Sequence, residues 1–235
     1  MRFTPTNTPI NDFISEKDTL SGIISIWGDV GVGKTTFCFA AALNVLNYGK
    51  KVIYISTARK FEFARLKLML GRYRGINMEK FVVYNPDTIS QLAKLVMNLE
   101  FLLLEEIRFL GKTSVGLIVL DTATGLFHTS IKSGYDSILK KQSNQLNIFL
   151  AELDKLREKY RIPIMITNRS VSSIKEDDEK VVSHQASPKT MAYWTKTSIK
   201  LERLSTPGYR AVILVKHPRN KLRKARIKLA SEGIK

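Results

Sequence analysis

The sequence has a single cysteine, no uninterrupted apolar run long enough to cross a membrane, and no apolar segment near its N-terminus. The lone Cys38 excludes an intramolecular disulfide, which suits a reducing compartment, and its apolar neighbours predict a small core residue. Glu100, Glu105 and Glu106 interrupt the longest apolar stretch, and the polar first residues lack a secretory signal. These absences predict a soluble, cytoplasmic protein without a membrane partner.

Acidic residues are also scarce, with 21 Asp and Glu against 38 Lys and Arg, for a formal charge of +17. Solvating ion pairs would raise both signs together, so we expect an anionic partner, nucleic acid first. Residues 189–235 hold thirteen Lys and Arg and two acidic residues, a formal charge of +11. Alternation of Lys224, Arg226 and Lys228 with apolar residues predicts a basic strand face that follows a phosphate backbone without reading bases. The candidate DNA-binding residues are Lys221, Arg223, Lys224, Arg226 and Lys228.

The length of 235 residues and the hydrophobic content of 44% fit one α/β domain over residues 1–235. Short β-branched segments alternate with helical patterns, which predicts a mostly parallel sheet flanked by helices. Helices are predicted from about Gln142 to Tyr160 and over the apolar run that ends at Gly111. Three further parts are expected: an N-terminal arm (1–21), a polar mobile loop with an acidic cluster (170–190), and a basic antiparallel β-extension (191–235).

A glycine-rich stretch, GDVGVGKTTF, stands between a predicted strand and a predicted helix. It meets the pattern G-x-x-x-x-G-K-[ST], in which backbone N–H groups at a helix N-terminus surround a phosphate and the lysine adds a positive charge. The predicted nucleotide-binding residues are Gly28, Asp29, Val30, Gly31, Val32, Gly33, Lys34, Thr35 and Thr36. Thr35 and Asp121, which ends the strand GLIVLD, are the candidate ligands of Mg²⁺.

The order of motifs along the chain resembles the RecA/RadA recombinase superfamily and, within it, the short archaeal RadA paralogs of the RadB kind. The resemblance rests on the glycine-rich stretch, the strand GKKVIYI, an F-x-x-x-R-L segment at Phe61 to Leu66, the strand LIVLD, the segment KKQSNQLNIFLAELDKLREKYRIPIMITN, and a closing hairpin that contains KH. It implies a RecA-like P-loop NTPase core that uses ATP and Mg²⁺. Full recombinases carry an N-terminal domain, whereas about twenty residues precede the first strand here, so a strand-exchange filament is not expected.

The resemblance also assigns roles to single positions. It implies that Arg65 stacks on adenine, that residues 128–141 and 170–190 are the two loops facing DNA, and that a RadA-type recombinase and nucleotide-dependent self-association are the protein partnerships. Arg169 stands where relatives carry a glutamine that senses the γ-phosphate after the asparagine matched by Asn168, which puts coupling of nucleotide to loop in doubt. Lys216 and Arg219 resemble cations that relatives extend into a neighbouring subunit's nucleotide.

The main departure from the family lies in the strand VIYISTA, where relatives read D-T-E and use the glutamate to activate water. Here the residue is Ala58, which accepts no proton. A positioned general base contributes about 100- to 10,000-fold in rate, so the sequence predicts ATP binding with little hydrolysis. Glu62 is the alternative base, and Lys34 is the other candidate catalytic residue of the same chain.

The leading hypothesis is therefore an ATP-binding, DNA-binding recombinase paralog that modulates recombinational repair. One alternative is an active DNA-dependent ATPase that uses another base, and a second is a regulatory ATPase of the KaiC or replicative-helicase type. A small-molecule kinase finds no support, since neither a lid nor a second substrate motif is evident in the sequence.

Overall fold

The computed structural model describes residues 22–126, 135–174, 181–218 and 223–235, and within them strands and helices alternate as predicted. The strands are β1 (Ile23–Gly28), β2 (Lys51–Ser56), β3 (Phe81–Tyr84), β4 (Val115–Asp121), β5 (Ile164–Ile174), β6 (Val181–Gln185), β7 (Thr195–Arg203), β8 (Tyr209–Lys216), β9 (Arg223–Ala230) and β10 (Gly233–Ile234). The α-helices are α1 (Lys34–Asn47), α2 (Phe63–Leu70), α3 (Ile89–Leu110), α4 (Tyr135–Tyr160) and α5 (Pro188–Trp194).

All of these strands belong to one hydrogen-bonded sheet. Its order is β10-β9-β8-β7-β1-β5-β4-β2-β3, and β6 pairs with β5 beside this path. Neighbours from β7 through β1, β5, β4 and β2 to β3 run parallel, whereas β5–β6 and the pairs from β7 to β10 are antiparallel. The predicted fold class, an α/β core with an antiparallel C-terminal extension, is confirmed.

Two apolar cores cover the two faces of the sheet. Side chains of α1, among them Phe37 and Leu43, pack with Val119 and with residues of β7, β8 and β9 on one face. On the other face, Ile118 and Leu120 pack with side chains of α3 and α4. Central parallel strands are buried on both faces and therefore read as continuous apolar runs, which is why β4 was recognisable in the sequence.

Helix α3 begins and ends at residues that the sequence favours for those places. The Thr88 hydroxyl accepts a hydrogen bond from the backbone N–H of Gln91 at 3.2 Å, which caps the first turn. Gly111 follows the last turn with φ 71°, a conformation that glycine adopts without a steric penalty. Across the described residues, we find no helix that combines the length and the apolar character required to traverse a bilayer.

The expected irregular loop over 170–190 is wrong for most of its length. Residues 170–174 continue β5, residues 181–185 form β6, and α5 begins at Pro188. The two strands pair from Ser170 opposite Gln185 to Ile174 opposite Val181. Backbone hydrogen bonds pair the two strands of the hairpin. Polar residues can form such strands, so the sequence shows no apolar periodicity.

Helix α4 also begins earlier than predicted, at Tyr135 and not near Gln142, so residues 135–141 of the first expected DNA loop are helical. Several expectations fall outside the described residues: the N-terminal arm (1–21), the remainder of that DNA loop (128–134), the acidic cluster (176–179), Arg219 and Lys221.

Candidate nucleotide-binding site

The glycine-rich turn joins the end of β1 to the start of α1, as the pattern predicts. Gly28, Gly31 and Gly33 have φ angles of 146°, 73° and 105°, which side chains rarely tolerate. A Cβ on Gly28 would lie 2.3 Å from the carbonyl oxygen of Leu201, and one on Gly33 would lie 2.4 Å from Cδ1 of Leu229. The turn is thus closely packed against β7 and β9, and only glycine fits these two positions.

Lys34, the first residue of α1, folds back over this turn. Its Nζ donates hydrogen bonds to the carbonyl oxygens of Gly28 at 2.8 Å and Asp29 at 2.7 Å. Burial lowers the pKa of Lys34, and the negative charges of Asp121 and Asp29 partly oppose that effect. A phosphate group would offer the half-buried ammonium a charged acceptor in place of carbonyls, so the lysine is positioned for phosphate recognition.

Asp121 ends β4 beside Ser56 of β2, and its carboxylate receives three hydrogen bonds from described side chains. Thr35 Oγ1 and Tyr54 OH donate to Oδ2 at 2.8 and 2.7 Å, and Thr167 Oγ1 donates to Oδ1 at 2.5 Å. Burial and the nearby Asp121 charge raise the pKa of Tyr54 well above its usual value, so its hydroxyl stays a donor at neutral pH.

The pair of Thr35 and Asp121 fits Mg²⁺ in its chemistry. Both supply hard oxygen atoms next to the glycine-rich turn, and Mg²⁺ is usually held by one or two such groups together with phosphates and water. Among the described residues, no cluster of three or more His, Cys, Asp and Glu side chains forms a separate metal site. The sequence missed Tyr54 and Thr167, since each reads as an ordinary strand residue.

A cleft of about 440 Å³ opens beside the turn. It is lined by Gly31, Gly33, Lys34, Thr35, Thr36, Glu62, Arg65, Gly208, Arg210, Leu229, Ala230 and Ser231. Arg65 Nε is buried and has no hydrogen-bond partner among the described residues. Arg65, the predicted adenine-binding arginine, therefore lines the cleft and has one buried donor that the described residues leave unsatisfied.

The position of the missing general base lies just after β2. Ala58 is exposed, and its carbonyl oxygen accepts a hydrogen bond from Nδ2 of Asn85 at 2.9 Å. The same Asn85 amide donates to the carbonyl oxygen of Ser56 at 3.0 Å. The backbone at position 58 is therefore tied to the residue that follows β3, while the alternative base, Glu62, lines the cleft.

Residues in the middle of β5 connect the glycine-rich turn with the β5–β6 hairpin. Asn168 is buried, accepts hydrogen bonds from Thr124 Oγ1 and its neighbour's N–H, and donates to the carbonyl oxygen of Ala186 at 2.7 Å. Arg169 is exposed and lies opposite Gly28 in the sheet. The Ser170 hydroxyl donates to the carboxylate of Asp29 in the turn, a contact that the sequence did not suggest.

Two arginines of the C-terminal strands also bind the turn. Arg203 Nη2 donates to the carbonyl oxygen of Val30 at 2.8 Å, and Arg210 Nε donates to that of Val32 at 3.1 Å. Sequence reasoning counted both as part of the general basic charge of this region. No local pattern marks them, because their partners are backbone atoms more than 170 residues away in the chain.

The basic stripe on β9 has the expected alternation. Lys224, Arg226 and Lys228 are exposed, whereas Ile227 between them is buried. The guanidinium of Arg226 lies 3.9 Å from the ring centroid of Tyr209 on the neighbouring strand, and Lys228 Nζ lies 5.9 Å from it. Arg223, at the start of β9, is also exposed.

Lys216, a predicted trans cation, lies at the far end of β8 from the glycine-rich turn. Its Nζ donates to the carbonyl oxygen of Ala192 at 2.5 Å, and burial, with the nearby Lys196, lowers its pKa. Arg210 contacts the turn six residues earlier, a separation of about 20 Å along a strand. Lys216 and Lys34 of one chain therefore do not share a site.

Comparison with known proteins identifies the family of this chain. The Rad51 family model matches residues 13–235. The chain is 28% identical over 216 residues to the DNA repair and recombination protein RadB of Methanoculleus marisnigri, covering 92% of this chain and 89% of that protein. It is 29% identical over 218 residues to the protein of the same name from Methanocaldococcus jannaschii, covering 91% and 92%, respectively. The RadB protein of Methanobrevibacter smithii is 26% identical over 213 residues, covering 91% and 86%. With its RecA-like core and a family match over nearly its whole length, this chain belongs to the Rad51 family.

Proposed function

We propose that this protein is a RadB-like recombinase paralog of DNA repair, which binds ATP with Mg²⁺, binds DNA through its C-terminal strands, and hydrolyses ATP slowly. The observation that carries the proposal is the contrast between a complete phosphate site around Lys34, Thr35 and Asp121 and an alanine at position 58. On this proposal, ATP changes the conformation of the protein mainly by binding and less by its hydrolysis.

ATP binding is supported by the different residues that line the two parts of the cleft. The glycine-rich turn and Lys34 would meet the phosphates, which leaves the part of the cleft lined by Arg65, Leu229 and Ser231 for ribose and base. Bound Mg²⁺ would neutralise phosphate charge beside Thr35 and Asp121. Recognition of the base by Arg65 would use its planar guanidinium, which stacks on aromatic rings.

Slow turnover follows from what these residues lack. Hydrolysis needs a group that orients water and takes its proton at the γ-phosphate end of the site. Thr57 is not such a group, because its buried hydroxyl already donates to the carbonyl oxygen of Thr122 at 2.9 Å. Glu62, exposed at the N-terminus of α2 and lining the cleft, is the one observation that favours the alternative of an active ATPase.

DNA binding is supported by the open basic surface of β9, which we call the β9 stripe (Lys224, Arg226 and Lys228). The three cations lie on one face of the strand, with the apolar core on the other side. Contacts of this kind are made to phosphates, so they give affinity for any sequence and a steep dependence on salt. We propose a RadA-type recombinase as the protein partner, and the two proteins would bind the same DNA.

The test measures ATP and DNA binding separately. Lys34→Ala should abolish binding of a fluorescent ATP analogue and leave DNA binding intact at low salt. Replacing the three residues of the β9 stripe with alanine should weaken DNA binding and reduce its logarithmic salt slope by up to about 2.7, since each phosphate contact contributes about 0.9 on duplex DNA.

The matched control removes the same charges elsewhere, by alanine at Lys94, Arg108 and Lys112, which are exposed on and just after α3. If the wild-type protein does not retain DNA at low salt, or if this control variant loses as much affinity as the stripe variant, DNA binding by the stripe is wrong. If the wild-type protein binds no ATP with Mg²⁺, the whole proposal fails.

A further inference from the structure

Tyr54 is a buried hydroxyl inside an aromatic cluster. Its side chain is 0% exposed, and its ring lies 5.3, 5.4 and 5.7 Å from the ring centroids of Phe39, Phe61 and Phe81, respectively. The surrounding rings leave the phenol one orientation, because protein cores are closely packed. Its OH group reaches Oδ2 of Asp121 at 2.7 Å.

The hydroxyl is not needed for packing. A phenylalanine at this position would fill the same space in the cluster, and a buried hydroxyl is unfavourable unless it finds a partner. The partner that Tyr54 finds is a carboxylate in the phosphate site and not a backbone group of the sheet. The phenol oxygen therefore acts on Asp121.

The hydrogen bonds to Asp121 fix both of its carboxylate oxygens. An ionised carboxylate has about four acceptor positions. Thr35 and Tyr54 occupy two of them on Oδ2, and Thr167 occupies one on Oδ1. Donors on both oxygens hold the plane of the carboxylate, and the described side chains leave one acceptor position, on Oδ1.

Thr35 can bind a cation without giving up its contact with Asp121. A hydroxyl has one proton and two lone pairs, so Thr35 Oγ1 donates to Asp121 and keeps lone pairs for a metal ion. Tyr54, by contrast, is enclosed by the aromatic cluster and has no such second face. Its effect on a metal ion can pass only through the carboxylate.

We infer that Tyr54 is a positioning residue for the Mg²⁺ of bound nucleotide, acting through the hydrogen bond that orients Asp121 beside Thr35. This inference rests on the proposed ATP binding and assigns a residue to it that the phosphate-binding motifs do not contain. Groups that orient metal-binding side chains typically change metal affinity about 10- to 100-fold when removed.

The experiment compares Tyr54→Phe with the wild-type protein, using a fluorescent ATP analogue. We expect the Mg²⁺ concentration for half-maximal nucleotide binding to rise about 10-fold or more in the variant. Nucleotide affinity in excess chelator should stay within about twofold, since Lys34 and the glycine-rich turn are untouched. Tyr84→Phe on β3 is the matched control, because it removes one phenol oxygen from the neighbouring strand, and it should leave both values unchanged.

Two results would overturn the inference. One is a Tyr54→Phe protein with wild-type Mg²⁺ dependence; the other is an equal loss of affinity with Mg²⁺ and with chelator, which a purely structural role would produce. A wild-type protein that binds no nucleotide under either condition would instead refute the proposed ATP binding, and this inference with it. Should the thermal midpoint of the variant fall near the assay temperature, the same ratio is measured in trimethylamine N-oxide, which favours the folded state.

Discussion

Under the proposed function, substituting glutamate for Ala58 should allow the protein to turn over the ATP that it otherwise only binds. Ala58 is exposed, so a carboxylate there keeps its hydration and changes stability by no more than about 0.5 kcal/mol. Two hydrogen bonds from Asn85, which follows β3, to the carbonyl oxygens of Ser56 and Ala58 fix the backbone of this position, two residues after Ser56, which lies opposite Asp121. The new side chain would thus start from a backbone that is already fixed.

A general base at the proper distance from the attacking water contributes about 100- to 10,000-fold, which lowers the barrier by about 3–5 kcal/mol. We expect Ala58→Glu to gain a factor within that range, toward its lower end, because the surrounding residues have not been selected with the glutamate in place. Ala58→Gln is the matched control. It has nearly the same shape and accepts no proton, so it should not differ from the wild-type protein.

The assay is release of phosphate from Mg²⁺-ATP in a single turnover, with and without DNA, after nucleotide affinity has been measured for each variant. The reasoning is refuted if Ala58→Glu binds ATP as tightly as the wild-type protein and yet hydrolyses it no more than about twofold faster. It is refuted equally if the wild-type protein already turns over rapidly. In that case Glu62→Gln, which should have no effect under our proposal, would show whether Glu62 supplies the base.

Two further predictions concern stability and reactivity. Burial opposes ionisation of Glu106, but hydrogen bonds from Ser114, Thr113 and Lys51 outweigh burial and lower its pKa. The ionised carboxylate therefore stabilises the folded protein. That contribution is complete above the unfolded pKa of about 4.3 and is lost as the pH falls through the lower pKa of the folded state. Glu106→Gln should therefore be about 1.5–3 kcal/mol less stable than the wild-type protein in urea at neutral pH, and this gap should close in acid; a constant gap across that range would contradict it. Cys38 is fully buried, and burial raises its pKa well above the usual value, so a thiol reagent should modify it at the rate of unfolding, and immediate modification of the native protein would show that α1 opens locally.

Much of this fold was predictable because its signals are local. The strand and helix patterns, the glycine-rich turn and the aspartate that ends β4 each occupy one short stretch of sequence, and the structure has them as expected. The alternation of Lys224, Arg226 and Lys228 is equally local and survives in β9. Where the residue pattern and the structure that it produces lie in the same segment, the sequence was sufficient to predict that structure.

The features that were missed depend on partners far away in the chain. The β5–β6 hairpin has a polar sequence whose pairing comes from the backbone, which no residue pattern announces. Arg203 and Arg210 looked like surface cations until their contacts with Val30 and Val32 were known. Tyr54 looked like a core residue, because only its single terminal oxygen distinguishes its role.

The place of β1 in the sheet has a consequence for the order of folding. Its two neighbours are β5 and β7, so the strand that leads into the glycine-rich turn is synthesised early but acquires its partners only when residues 164–203 have left the ribosome. Pairings so distant in sequence form slowly, because the chain loses the entropy of a long loop before the new contacts stabilise it. The site proposed for nucleotide is complete only when β5 and β7 have joined β1, so nucleotide binding would stabilise a chain whose C-terminal strands are already in place.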